Sequence, residues 1–110
     1  MTVRDIATRL GVKCTAGEGG LERAVCGCYI GDQLSLALAR AEKDNIWVTT
    51  TGHLNAVAVG VRVGVSCIIL CHGAPLDTDA AQHADTRSLP ILKSDIDAFN
   101  LAVELGRFFA

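Results

Sequence analysis

The stretch Ile46–Leu70, IWVTTTGHLNAVAVGVRVGVSCIIL, decides the fold. An apolar, β-rich run, Ile46–Val48, ends in three threonines, a glycine and a histidine. An apolar segment with almost no charge follows, and a second apolar run, Cys67–Leu70, closes the stretch. Valine recurs at positions 57, 59, 61, 63 and 65, a period of two that favours a strand. Against it stands a topological requirement: two parallel neighbours need a crossover of about a dozen residues. Leu54 to Val63 supplies it, so this segment is expected to be a helix, with tertiary context overriding the β-branched preference. Val57, Ala58 and Val61 are then expected on the sheet, with Asn55 and Arg62 outward. The whole reads as strand, helix, strand, with a hydroxyl-rich turn where the helix begins. In open α/β sheets such a turn is where small ligands bind.

The remainder of the chain repeats this alternation. Thr2-Val-Arg-Asp5 fits a capping box, Val3, Ile6, Ala7 and Leu10 recur at helical spacing, and Gly11 is a stop signal. Val12–Thr15 and Val25–Ile30 are expected strands, separated by the glycine-rich Gly17-Glu-Gly-Gly20, which is expected to be a flexible, hairpin-like connection. Asp32 is the expected cap of a helix through Arg40, with Leu34, Ala37, Leu38 and Ala41 on one face. Asp77 or Thr78 caps a polar helix through Thr86. Leu89-Pro-Ile-Leu92 is a short strand whose Pro90 suits a sheet edge. Ser94-Asp-Ile-Asp97 resembles a second capping box before a helix built on Ile96, Phe99, Val103 and Phe108. The expected fold class is α/β: a three-layer α/β/α sandwich with a mostly parallel sheet of about five strands.

Size and composition set limits on function. The 110 residues are half hydrophobic, carry a net charge of −2 and suit one domain spanning residues 1–110. A chain this short buries a modest share of its surface, so self-association is expected to help it. The pI near 5.8 argues against a general nucleic-acid binder. No apolar stretch reaches the ~18 residues that suggest a membrane span, and the charged N-terminus does not resemble a signal peptide. The expected location is the cytoplasm.

The candidate ligand-binding residues are Asp32, Thr49, Thr50, Thr51, Gly52, His53 and Asn55. Hydroxyls and free amides at a helix start favour phosphate or carboxylate, and Gly52 is expected to let a ligand approach the backbone. Equally, the same residues describe an ordinary helix start with Thr51 as its N-cap. Asp32 follows a strand, so it is either an N-cap or a second group in the same crevice. The P-loop pattern is absent. His72 shares the expected rim; His83 is expected in solvent, and Trp47 in the core. The five cysteines, at 14, 26, 28, 67 and 71, lack closed metal-ligand spacing and are expected to be reduced and mostly buried. No catalytic set, metal site or cofactor is expected.

Two segments together resemble the DRTGG domain family. Leu21-Glu-Arg-Ala-Val-Cys-Gly-Cys-Tyr-Ile-Gly-Asp32 stands where that domain carries its signature, with Glu22-Arg23 for the acidic–Arg pair and Cys26-Gly27-Cys28 replacing the signature's end. His53-Leu-Asn-Ala-Val-Ala-Val resembles the second well-marked segment. The resemblance implies an α/β/α domain related to the N-terminal domain of HPr kinase/phosphorylase, acting as a regulatory or assembly module and bringing no catalytic residues. Stand-alone copies resemble proteins encoded near iron-only hydrogenase genes, which implies a hydrogenase-related or signalling partner. The leading expectation is a non-catalytic regulatory or adaptor domain, homodimeric, sensing a small anionic metabolite or nucleotide. The alternative is a redox or iron–sulfur accessory protein using Cys26, Cys28, Cys67, Cys71 and His72.

Overall fold

The computed structural model describes residues 1–109. Helix α1 (Val3–Leu10) opens with the expected reciprocal cap: the Thr2 hydroxyl accepts from the Asp5 amide, and the Asp5 carboxylate accepts from the Thr2 amide. Gly11 ends it at φ 66. There follow β1 (Lys13–Ala16), a 3-10 turn (Glu18–Gly20), β2 (Cys28–Ile30), α2 (Leu34–Arg40), β3 (Ile46–Thr49), α3 (Leu54–Val63), β4 (Cys67–Leu70), α4 (Thr78–Arg87), β5 (Ile91–Lys93) and α5 (Ala98–Phe108).

The five strands form one sheet in the order β1-β5-β4-β3-β2. Strands β2 to β5 run parallel, and β1 pairs with β5 antiparallel. Helices α2, α3 and α4 cover one face, where Ala37, Ala56, Val57, Ala80 and Ala84 meet Trp47, Ile68, Leu70 and Ile91. On the other face α1 and α5 place Val3, Ile6, Leu101 and Leu105 against Ile46, Val48, Cys67, Ile69 and Leu92. Every residue of β3 and β4 is buried, which is why both read as continuous apolar runs. The α/β/α architecture and the mostly parallel five-stranded sheet are as expected. Trp47 is fully buried, and its indole N–H donates to the Gly31 carbonyl at 2.9 Å.

Several local expectations need correction. Helix α3 has the expected bounds but is rotated: Ala56, Val57 and Gly60 are buried, and Ala58 is exposed. A Cβ on Gly60 would lie 3.2 Å from Ile68 and Leu89 atoms, so the glycine permits close seating on the sheet. Strand β2 starts only at Cys28, because Gly27 at φ 80 turns the preceding chain away. Strand β5 is interior, not an edge; Pro90 lies just before it, where its missing N–H breaks no ladder bond and its carbonyl accepts from Ile68. Gly17–Gly20 is a packed turn and not a flexible hairpin: a Cβ on Gly20 would lie 2.0 Å from the Ser88 carbonyl oxygen. In α2 Ala37 is buried, whereas Leu38 is 46% exposed. The cap of α5 is Asp97, which accepts from the Asn100 amide, so Ile96 lies outside the helix. Leu101 and Leu105 face the sheet, and Phe99 and Val103 are 74% and 43% exposed.

Candidate functional site

Four parallel strands deliver their C-terminal loops to one edge of the sheet. These are Gly31–Gln33 after β2, Thr50–His53 after β3, Cys71–Asp77 after β4 and Ser94–Asp97 after β5. The edge therefore gathers Asp32, Thr49, Thr50, Thr51, Gly52 and His53, as expected for residues that follow parallel strands. Asn55 joins them from the exposed first turn of α3.

Asp32 does not cap α2. The N-cap there is Gln33, which makes no side-chain capping bond. Asp32 instead reaches across to β3, where its Oδ1 accepts from the Thr49 hydroxyl at 2.8 Å and from the Thr50 amide at 2.7 Å. The Thr50 amide above all, helped by the Thr49 hydroxyl, holds the Asp32 carboxyl below its ordinary value. The Thr51 amide in turn donates to the Thr49 hydroxyl at 3.2 Å. An internal carboxylate thus takes two of the donors expected for an external anion, and buried Thr49 acts as the hinge of this network.

The helix start differs from expectation as well. The N-cap of α3 is His53, in extended conformation and without a side-chain capping bond, and not Thr51. The His53 ring Nδ1 lies 2.7 Å from Asp77 Oδ2, tying the start of α3 to that of α4. Gly52 is required for a backbone reason. A Cβ there would sit 1.9 Å from the Pro75 carbonyl oxygen, and the Gly52 carbonyl accepts from the Asp77 amide at 2.9 Å. The close approach is made by the loop after β4, and not by a ligand. Asp77 was readable in the sequence as a cap alone; its pairing with His53 joins residues 24 apart and leaves no local signal.

The loop after β4 is fixed to the loop after β5. His72 adopts φ 57, its amide donates to Ile96 at 2.8 Å, and its Nε2 accepts from the Ala98 amide at 3.3 Å, at the start of α5. The exposed residues of this edge include Thr50, His53, Leu54 and Asn55 along with Asp32, His72, Asp77, Asp95 and Asp97, and Thr51 is half-buried. The four loops carry Asp32, Asp77, Asp95 and Asp97 and no lysine or arginine. The arrangement presents hydroxyls, amides and two histidines on an acidic frame, suited to hydrogen-bonding a polar ligand.

The thiols are arranged differently from a metal centre. Cys67 and Cys71 are buried, Cys14 and Cys28 half-buried, and Cys26 exposed. Burial pushes the Cys28 thiol up to about 11 and raises those of Cys14, Cys67 and Cys71, which opposes thiolate chemistry. Among the described residues no group of three His, Cys, Asp or Glu side chains is placed to hold a metal ion. His83 is half-buried on α4, not fully in solvent.

The segment Leu21–Gly27 lies at the opposite end of the strands and is structural. The Arg23 guanidinium donates to the Val65 carbonyl at 3.1 Å, Ser66 donates to the Ala24 carbonyl, and the buried Asn45 side chain donates to the Cys26 carbonyl at 2.7 Å. Arg4 pairs with Glu22 at the surface.

The family model described as "DRTGG domain" matches residues 5–108. No curated protein matches the chain. Among solved structures, the chain is similar to the CBS and DRTGG domains of the regulatory region of Clostridium perfringens pyrophosphatase, complexed with its activator, diadenosine tetraphosphate. The TM-score is 0.72 at 12% identity, over 94% of this chain and 45% of that one. The chain thus spans less than half the length of that structure. No helix among the described residues is long and apolar enough to cross a membrane.

Proposed function

The chain belongs to the DRTGG domain family, and from that premise we propose that residues 1–110 form one cytoplasmic regulatory or adaptor unit with no reaction of its own. It senses a small anionic metabolite or nucleotide at the C-terminal edge of the sheet, through Asp32, Thr49, Thr50, Thr51, Gly52, His53 and Asn55. The observation that carries this is the Asp32 bridge. One carboxylate holds the ends of β2 and β3 in fixed register and leaves the exposed groups of the edge, from Thr50 to Asn55, facing outward. Asp32, Thr49 and Gly52 are the frame of this site; Thr50, Thr51, His53 and Asn55 are the groups that touch ligand. Similarity to a regulatory region bound to a dinucleotide activator supports both the regulatory role and the ligand class. The unit works as a homodimer, for which the exposed Ile30, Leu36, Leu38, Leu54, Phe99 and Val103 supply apolar surface.

The test is a thermal-shift screen of nucleotides, diadenosine tetraphosphate among them, and of phosphorylated metabolites, followed by variants. A neutral hydrogen bond contributes about 0.5–1.5 kcal/mol net, so Thr50→Ala is expected to weaken a hit by roughly tenfold at most. Asn55→Ala is expected to act similarly. A hit that binds both variants as tightly as the wild type places the ligand elsewhere. A screen without hits favours a protein partner on this edge.

A further inference from the structure

The strongest unassigned feature lies at the other end of the same sheet edge. Strand β1 is antiparallel to β5, so its first residue returns to the edge where β5 ends. Lys13 and Lys93 are paired directly across the two strands. Directly opposite residues project from one face with their Cβ atoms about 5 Å apart, and two like charges so placed repel each other. Neither lysine has a carboxylate within ion-pair distance among the described residues; the ion pairs there involve Arg4, His53 and Arg107. Both lysines are exposed and line a groove of about 370 Å³. Gly11, Thr15 and Ser94 also line it, together with a single carboxylate, Asp95. Asp95 leans away toward the loop after β4: its Oδ1 would lie 2.9 Å from a Cβ on Gly73. Lys13 and Lys93 thus line one groove, while the neighbouring loops carry Asp32, Asp77 and Asp97 and no lysine or arginine.

We propose that this groove binds a phosphate-bearing anion, with Lys13 and Lys93 gripping one doubly charged phosphate group between them. A dianion turns the repelling pair into a favourable triad, and charge-assisted bonds to phosphate are the stronger kind. Strands β5 and β1 stand two and three positions from β3, so strand spacing puts the groove about 10–15 Å from the Thr50 turn. That distance is short enough for one phosphorylated ligand to touch both. The groove's affinity for phosphate does not rest on the role proposed for the Thr50 turn.

The test is an amide NMR titration with inorganic pyrophosphate at constant ionic strength. The variants are Lys13→Gln, Lys93→Gln, their double and Lys93→Arg. The expected result is saturable shifts at the amides of residues 11–15 and 93–96. Each lysine-to-glutamine change is expected to weaken binding about tenfold or more, while Lys93→Arg keeps it. The same glutamine variants should fold at least as stably as the wild type in the absence of pyrophosphate, since each relieves a like-charge pair. Undiminished binding to the Lys13→Gln/Lys93→Gln double variant overturns the proposal. So do shifts no larger than those from chloride at matched ionic strength, or shifts confined to residues 50–55.

Discussion

At the residue scale, Asp32 shows where local sequence signals stop. A strand end followed by Gly-Asp is a good helix-start signal, and its use as a cap is the local solution. The structure prefers a partner 17 residues away, because parallel strands bring the end of β2 beside that of β3. Membership of a shared edge was legible from strand alternation; which donor each side chain takes was not. Gly52 carries the same lesson, since nothing local indicates that the Pro75 carbonyl passes over it. The Asp32 bridge has a consequence with a definite sign. Its carboxyl sits lower in the folded protein than its ordinary value, so it contributes stability above the unfolded pKa of ~3.9, lost as pH falls through the lower folded value. Asp32→Asn is therefore expected to be less stable than the wild type at pH 7, by about 1 kcal/mol or less because the group is exposed. Urea unfolding of both proteins at neutral and acid pH checks this: the difference should shrink toward zero at the acid end. A gap that widens on acidification contradicts the bridge.

At the element scale, α3 and β4 have the bounds their sequence suggests, despite the alternating valines. The deciding constraint was connectivity, since two parallel neighbours cannot be joined without a crossover. Helix α5 is the contrary case. Its sequence carries two apolar stripes, Phe99 with Val103 and Leu101 with Leu105, and periodicity does not say which one meets the sheet. In the structure Leu101 and Leu105 take the sheet, and Phe99 and Val103 the solvent. Leu101→Ala is accordingly expected to cost about 2–5 kcal/mol as a core truncation. Phe99→Gln, at a largely exposed position, is expected to change stability by no more than about 0.5 kcal/mol. Denaturant midpoints of the two variants check the assignment; a large loss from Phe99→Gln with little from Leu101→Ala reverses the face.

At the scale of the whole molecule, the two ends of the sheet have different tasks. The end carrying Leu21–Gly27 is held by backbone-directed bonds from Arg23, Asn45 and Ser66. The other end is open, polar and divided in charge: carboxylates in the loops after β2, β4 and β5, paired lysines where β1 meets β5. That division was not legible in a net charge of −2, because it depends on β1 running against its neighbour. The exposed apolar side chains lead to an expectation of dimers in light scattering at about ten micromolar; a monomer at that concentration contradicts self-association. The central claim, that the C-terminal edge is a sensing surface, is tested most directly by mapping amide NMR shifts during titration with the nucleotides or phosphorylated metabolites that stabilise the protein. The account predicts saturable shifts clustered in the loops after β2 to β5 and in the first turn of α3, with residues 21–27 unmoved. Saturable shifts centred on residues 21–27, with the loops silent, would contradict it.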